Sequence, residues 1–319
     1  MMYLPTELLN RFQELIYGQC SLRFSPSRLI NLETQVRERM RFRGLSSYED
    51  YFLLLQDDVE EFDALIEAIT TKETYFFRLP EQFRALGKQV IPEIEQRLSN
   101  EARRMTVEEG GPGPWKVPLR IWSAGCATGE EPYSIAMTVM NSLKYPRAWQ
   151  MELLATDISK KALTTASLGF YETQAIKKIP APYQKKYLKI VSGGAVVEEE
   201  LVKKICFRIF NLRALDGCEK RACNFTRLDG TSERIELANR FHVIFCRNVM
   251  IYFDFAAQQR LVETLYAALK PGGYLFTGDS EQLHIYKHKF QTRAMEGTYI
   301  YQKPEIEGFQ ERANQDERS

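Results

Sequence analysis

The sequence has few of the residues that build disulfide-rich or metal-binding scaffolds. Its 319 residues contain six cysteines and no C-x-x-C pair, which argues against a secreted disulfide framework and a standard zinc site. We therefore expect reduced thiols. The chain has only three histidines, His242, His284 and His288. The last two are four residues apart but lack a third ligand, so no metal site is predicted.

Long apolar runs and an excess of one charge are also missing. No stretch approaches the roughly 18 apolar residues of a membrane span, and no basic segment with an apolar run begins the chain. The 43 Lys and Arg residues balance 42 Asp and Glu residues, so no global field favours nucleic acid or a membrane surface. We expect a cytoplasmic protein without membrane insertion and without a nucleic-acid partner.

The N-terminal part carries apolar residues at helical spacing. A first stripe is followed by Gly18, a second helix begins after Ser25, and Ser47 and Asp58 begin two shorter helices. These residues are typical helix caps and stops. The pattern predicts a small all-helical domain at residues 1–72.

From residue 119 onwards, strands alternate with helices. The expected strands lie at residues 119–122, 152–156, 207–210, 241–246 and 274–277. One helix is expected before this region, at residues 83–98, and another within it, at residues 255–270. Residues 101–118, rich in Glu, Gly and Pro, predict a mobile loop. This alternation favours a doubly wound, mainly parallel sheet in a domain at residues 73–303.

Two segments interrupt this pattern. Residues 172–206 contain Gly193-Gly194 between apolar runs, which predicts a β-hairpin insertion. Residues 304–319 are polar and charged, and we expect a frayed tail.

A loop after the first strand is the first candidate binding element. Gly125 and Gly129 would allow close approach of a ligand, but their spacing does not match the G-x-G-x-x-G fingerprint. Glu130 and Glu131 at the following helix start would repel a pyrophosphate and suit a cationic or zwitterionic ligand. The alternative is an ordinary glycine turn whose acids favour the helix dipole.

Asp157 ends the second predicted strand. In α/β nucleotide-binding folds, a carboxylate at this place commonly binds ribose hydroxyls. The alternative is a helix N-cap, for which Ser159 is also placed.

Five motifs resemble those of the CheR chemotaxis receptor methyltransferases. They are TKETYFFR at 71–78, WSAGCATGEEPYS at 122–134, ATDI at 155–158, FCRNVMIYF at 245–253 and LKPGG at 269–273. The resemblance implies a Rossmann-like methyltransferase domain (α/β) with a small antiparallel hairpin insertion, preceded by an all-α domain. It also implies transfer of a methyl group from S-adenosylmethionine to receptor glutamates, which gives glutamate methyl esters and S-adenosylhomocysteine in sensory adaptation.

The resemblance assigns site residues by position. The implied cofactor-binding residues are Thr74, Arg78, Ala124, Gly125, Glu130, Asp157, Asn211, Leu212, Arg247 and Asn248. Tyr252, beside the transferred methyl, and Arg247 are the candidate catalytic residues. Lys72 stands where the family usually has Asn, so no cofactor contact is assigned to it. Leu79 stands where the family usually has an acidic residue.

The second helix is rich in arginine, with Arg28, Arg37, Arg39, Arg41 and Arg43. We expect the face with Arg37 and Arg41 to dock on acidic helices of the cytoplasmic domains of methyl-accepting chemotaxis receptors. The alternative is an ordinary solvated helix face. By resemblance the protein is expected to be a monomer.

Three other functions compete with receptor methylation. One is a non-catalytic signalling protein that binds S-adenosylmethionine or S-adenosylhomocysteine, and another is a methyltransferase acting on another substrate. Nicotinamide-dependent oxidoreduction is disfavoured by the missing phosphate fingerprint. A glutamate carboxylate, with a reference pKa near 4.3, is already a nucleophile at neutral pH, so the scarcity of histidine does not oppose ester formation.

Overall fold

The computed structural model describes residues 4–70, 73–109, 116–217 and 222–305. The predicted N-terminal helices are confirmed as α1 (Thr6–Cys20), α2 (Pro26–Phe42), α3 (Tyr48–Asp57) and α4 (Val59–Ile69). Phe12 and Tyr51 are fully buried at their centre. Contrary to the prediction, Gly18 does not end α1, which continues to Cys20 before Ser21 adopts a left-handed φ of 54°.

Twelve strands in the described part of the chain form two sheets. They are β1 (Val117–Ala124), β2 (Trp149–Asp157), β3 (Phe170–Glu172), β4 (Leu188–Val191), β5 (Gly194–Val197), β6 (Ile205–Ile209), β7 (Ala222–Thr226), β8 (Ser232–Glu236), β9 (Phe241–Cys246), β10 (Leu269–Thr277), β11 (Gln291–Met295) and β12 (Thr298–Gln302). The large sheet has the order β11-β12-β10-β9-β1-β2-β6-β7-β8. Its five central strands, from β10 to β6, are parallel, and both flanks are antiparallel. The predicted mainly parallel sheet is confirmed.

Helices cover both faces of this sheet. The remaining helices are α5 (Pro80–Ala85), α6 (Ile91–Glu109), α7 (Glu130–Ser142), α8 (Lys160–Leu168), α9 (Thr173–Ile176), α10 (Ala181–Tyr187), α11 (Glu199–Val202) and α12 (Phe255–Ala268). Ile121 of β1 joins the apolar layer that contains Tyr133 of α7. Its neighbour Trp122 joins the opposite layer with Val262 of α12. Successive side chains of a strand point to opposite faces, so the central strands are buried on both sides.

The predicted insertion contains the expected hairpin, and a further strand immediately before it, β3, joins the same small sheet. β4 and β5 pair antiparallel around Gly193, whose φ is +81°, and β3 adds to the other edge of β5. A Cβ on Gly194 would lie 2.1 Å from the Tyr171 carbonyl oxygen, so this close pairing requires glycine.

Two local predictions need correction. The helix expected at 83–98 is divided into α5, a π-helical turn (Leu86–Val90) and α6. The predicted loop at 101–118 is helical as far as Glu109, because residues 101–109 are mostly good helix formers. Residues 110–115, which carry the three glycines and two of the three prolines of that segment, lie outside the described residues, as does the tail from residue 306. The strands β7, β8, β11 and β12 were not predicted.

The expectation of reduced thiols is wrong at one position. Cys223 of β7 is disulfide-bonded, whereas Cys20, Cys126, Cys206 and Cys246 are free. Cys218 lies outside the described residues. Among the described helices, none has the length and apolar character needed to cross a bilayer.

Candidate active site

A cavity of about 260 Å³ opens at the carboxyl ends of the central parallel strands. Its wall includes one residue at the end of each of four strands: Gly125 after β1, Asp157 of β2, Phe210 after β6 and Arg247 after β9. Crevices outside the carboxyl ends of parallel strands are the usual ligand sites of open α/β sheets. The fold therefore brings together residues that are far apart in the sequence.

The loop between β1 and α7 approaches the opposite wall closely. Gly125 has a φ of +89°, and a Cβ there would lie 2.3 Å from Val249 Cγ2. Gly129 has a φ of +98°, and a Cβ there would lie 2.7 Å from the Tyr171 hydroxyl. Both conformations favour glycine. These two glycines are needed for the loop geometry, and of the two only Gly125 lines the cavity.

Asp157 holds this loop and also lines the cavity. One carboxylate oxygen accepts from Ala127 N–H and the other from Ser159 N–H, both at 2.9 Å. Ser159, whose hydroxyl accepts from Ala162 N–H at 3.0 Å, is the N-cap of α8, so the N-cap interpretation of Asp157 is wrong. A carboxylate has about four acceptor sites, which leaves capacity for hydroxyl donors of a ligand.

Arg247 is a buried cation in the cavity wall. Its Nη1 lies 3.4 Å from Glu131 Oε2, and its Nη2 donates to the Arg78 carbonyl oxygen. Its Nε has no hydrogen-bond partner among the described residues. Burial lowers the pKa of Arg247, an effect that Glu131 partly offsets. A buried donor without a partner is rare in proteins and indicates a missing ligand or water.

The two acids at the start of α7 have different positions. Glu131 lines the cavity and accepts from the Ser123 hydroxyl at 2.7 Å, whereas Glu130 is buried outside the wall and accepts from the Thr128 hydroxyl at 2.7 Å. Burial raises the pKa of both carboxyls. The hydrogen bonds that lower the pKa of Glu130 include one from Thr74. The sequence analysis names both acids as favouring a cationic ligand, and the resemblance assigns only Glu130 to the cofactor, whereas Glu131 is the one in the cavity wall.

A buried carboxylate that the sequence prediction missed shapes the loop after β9. Glu281 accepts backbone N–H bonds from Asn248, Val249 at 2.8 Å and Ile251 at 3.3 Å, and also from Gly278 at 2.9 Å. Burial raises its pKa, and these N–H donors oppose the rise. An acid soon after the end of β10 was the available sequence signal.

The N-terminal domain closes one side of the cavity. Leu22 forms an antiparallel bridge with Phe253, and Arg23 N–H donates to the Tyr252 carbonyl oxygen at 2.8 Å. Cys20, Leu22, Arg28 and Thr70 contribute to the wall. Burial raises the pKa of Cys20 to about 12, so this thiol stays protonated at neutral pH.

The structure gathers most of the predicted site residues around this cavity. Those in the wall are Thr74, Arg78, Gly125, Asp157, Asn211, Leu212, Arg247, Asn248 and Tyr252. Ala124 is buried at the end of β1 and is not part of the wall. Lys72 lies outside the described residues.

The arginines of α2 fall into two groups. Arg39 and Arg43 pair with Glu61 of α4 at 2.5 and 3.1 Å, and Arg37 pairs with Glu33 at 2.8 Å. Arg41 is exposed and makes no ion pair within the described part of the chain. Of the two residues predicted for docking, Arg37 is engaged by Glu33 and by the Tyr48 hydroxyl of α3 at 3.3 Å, and Arg41 is available to a partner.

A Rossmann-like sheet with a cavity of both acidic and basic side chains at its strand ends, closed on one side by a helical domain, is typical of an enzyme that uses a nucleotide cofactor. The family model "CheR methyltransferase, all-alpha domain" matches residues 7–70, and "CheR methyltransferase, SAM binding domain" matches residues 72–220 and 213–299. The chain therefore belongs to the CheR methyltransferase family, whose catalytic domain binds S-adenosylmethionine.

Curated relatives cover most of the chain. A chemotaxis protein methyltransferase 2 of Pseudomonas aeruginosa is 32% identical over 279 residues, which cover 86% of each protein. The chemotaxis protein methyltransferase of Escherichia coli is 30% identical over 291 residues, covering 89% of this chain and 87% of that protein. That of Borreliella burgdorferi is 28% identical over 278 residues, covering 86% and 88%.

The cavity fits S-adenosylmethionine. The unpartnered Nε of buried Arg247 suits the ligand's carboxylate, and the carboxylates of Glu131 and Asp157 suit its positive charges and ribose hydroxyls. The donor set therefore matches a zwitterionic nucleoside with a cationic sulfur.

Proposed function

We propose that this protein transfers the methyl group of S-adenosylmethionine to glutamate side chains of chemotaxis receptors and forms glutamate methyl esters. The observation that carries the proposal is the cavity itself, which combines a donor site at the strand ends with a wall supplied by the N-terminal domain. The names of the curated relatives support a receptor as the acceptor.

The chain's own residues would hold the methyl donor in an extended site. Arg247 would bind the carboxylate of the donor, Glu131 its ammonium group and Asp157 its ribose. Thr74, Arg78, Asn211, Leu212 and Asn248 are proposed as further contacts, with Tyr252 beside the methyl group. When bound, S-adenosylmethionine supplies a methyl group on a positively charged sulfur, and its transfer leaves a neutral thioether.

The acceptor needs positioning more than activation. A glutamate side chain with a pKa near 4.3 is ionised at neutral pH, so no general base is required. In agreement, no histidine is among the described residues that line the cavity. Holding two reacting groups in near-attack geometry lowers a barrier by up to roughly 7–11 kcal/mol in favourable cases. The wall of the N-terminal domain would supply this orientation.

The proposed partner is the cytoplasmic domain of a chemotaxis receptor, approached by the α2 face with Arg37 and Arg41. A cytoplasmic location, a monomeric state and the absence of a nucleic-acid partner belong to the same proposal. Because 43 basic residues balance 42 acidic ones, a receptor domain would be attracted by a local group of charges rather than by the net charge of the protein.

The proposal is tested by the chemistry of the product. The protein is incubated with methyl-labelled S-adenosylmethionine and a receptor cytoplasmic fragment, and the labelled fragment is then treated with mild alkali. We expect release of labelled methanol, because carboxyl methyl esters hydrolyse under these conditions. A fragment in which the acceptor glutamates are replaced by glutamine is the control and should take up no label. Alkali-stable label would contradict the proposal and indicate methylation of nitrogen or carbon.

A further inference from the structure

Arg28 reaches from the N-terminal domain into the cavity wall beside Tyr252. Its guanidinium carbon lies 4.3 Å from the centroid of the Tyr252 ring, and its Nη1 donates to the Ile251 carbonyl oxygen at 3.3 Å. Both side chains line the cavity. Within the described part of the chain, Arg28 makes no ion pair, so a tyrosine ring holds its charge in place without neutralising it.

The backbone fixes this arrangement. The bridge between Leu22 and Phe253 and the hydrogen bond from Arg23 N–H to Tyr252 join the segment before α2 to the loop after β9. An arginine side chain has five N–H donors, and the hydrogen bond to Ile251 uses one of them. The others are available for a planar anion, which a guanidinium can bind through two parallel hydrogen bonds.

The carboxylates in the cavity wall would repel an anionic acceptor, so its binding requires a cation at this place. An acceptor carboxylate that enters meets Glu73, Glu131 and Asp157 in the wall. Arg247 is already paired with Glu131, and Arg78, which donates to the Glu73 carbonyl oxygen at 2.7 Å, is proposed above as a contact of the methyl donor. Arg28 is the wall cation contributed by the N-terminal domain, and it lies over the tyrosine proposed to stand beside the methyl group.

We propose that Arg28 binds the carboxylate of the acceptor glutamate and aligns it beside Tyr252. This inference rests on the proposed function and deepens it, because it makes the N-terminal domain a direct part of the acceptor site. Arg28 would then select an anionic acceptor as well as hold it.

The test compares Arg28→Gln, Arg28→Lys and a matched control, Arg23→Gln. Arg23 also lies over a tyrosine at the same domain junction, 3.6 Å from the Tyr17 centroid, but is not in the cavity wall. We expect Arg28→Gln to lower kcat/KM for the receptor fragment about 10- to 100-fold, the usual range for a lost hydrogen bond to a charged group. Arg28→Lys should recover part of this loss, and Arg23→Gln should behave as wild type.

Two further measurements separate acceptor binding from a structural effect. The affinity for S-adenosylhomocysteine, measured by calorimetry, should stay within about twofold in all variants. The acid limb of the kcat profile should move to higher pH in Arg28→Gln alone, because a nearby cation lowers the pKa of a bound carboxylate.

Each other outcome overturns a specific claim. Unchanged kcat/KM in Arg28→Gln, or a parallel loss of S-adenosylhomocysteine affinity, would show that Arg28 does not bind the acceptor. A wild-type protein that binds S-adenosylhomocysteine but methylates no receptor fragment would overturn the proposed function, and this inference with it.

Discussion

Two glutamate–arginine clusters in this molecule use the same residue types in opposite ways. In the N-terminal domain, Glu61 accepts from Arg39, Arg43 and the Tyr51 hydroxyl, so both of its oxygens are occupied. In the cavity wall, Glu131 and Arg247 are 3.4 Å apart, and Arg247 keeps an unpartnered Nε.

The difference extends to the acidity of the two carboxyls. Burial raises the pKa of Glu61, but the bonds from Arg39, Tyr51 and Arg43 outweigh it, so the pKa lies below its ordinary value. For Glu131, burial is the larger effect and the pKa lies above its ordinary value. We infer that the Glu61 cluster, whose hydrogen bonds are complete, stabilises the fold. The Glu131–Arg247 cluster, which keeps an unpartnered donor, is the one that can bind a ligand.

The largest expected effect is a loss of unfolding free energy when the complete cluster around Glu61 is broken. Glu61→Gln removes the charge that compensates Arg39 and Arg43, and breaking a buried ion pair in this way typically costs about 3 kcal/mol of unfolding free energy. Urea denaturation measures the loss. Arg41→Gln, in the same helix as Arg39 but exposed and without an ion pair among the described residues, is the control and should leave the unfolding free energy unchanged.

The same variant should also change the dependence of stability on pH. Because folding lowers the pKa of Glu61, its contribution is fully present above the unfolded pKa near 4.3 and is lost as the pH falls toward the folded value. The acid decline of stability should therefore be shallower in Glu61→Gln. Identical acid limbs in both proteins would contradict the assignment of Glu61 as a stabilising ion pair.

The smallest expected effect is at the α2 face with Arg37, which is partly exposed, and Arg41, which is exposed. Reversing the charge of Arg37 and Arg41 should raise KM for the receptor fragment roughly fivefold at low salt, since exposed ion pairs are weak and screened. The rise should shrink as salt increases, and the affinity for S-adenosylhomocysteine should not change. If KM and its salt dependence match wild type, this face of α2 does not dock the receptor.

Much of the fold could be predicted because its signals are local. The bounds of β9 at residues 241–246 agree with the prediction, and Ser159 caps α8 as expected from its place before an apolar helix. The antiparallel strands β7, β8, β11 and β12, which flank the central strands, were missed because short antiparallel strands with polar faces have weak patterns. The domain limits at residues 72 and 303 stay predictions.

The site was predictable only in part. Asp157 and Arg247 could be found because they follow strands, where ligand-binding residues of α/β folds collect. Glu281 also follows a strand, but its role, like that of Arg28, depends on contacts with the loop after β9 and could not be predicted. Arg28 is 223 residues from Ile251, and Glu281 is 33 from Asn248. Periodicity carries no information about such distant pairs.

The central claim, that the incomplete cluster is the donor site, is tested most directly by calorimetric titration with S-adenosylhomocysteine. We expect Arg247→Gln to weaken binding about 10- to 100-fold, because a charged hydrogen bond is lost, and Glu61→Gln to bind as wild type. Equal affinity in Arg247→Gln and wild type, or an equal loss in both variants, would contradict the account.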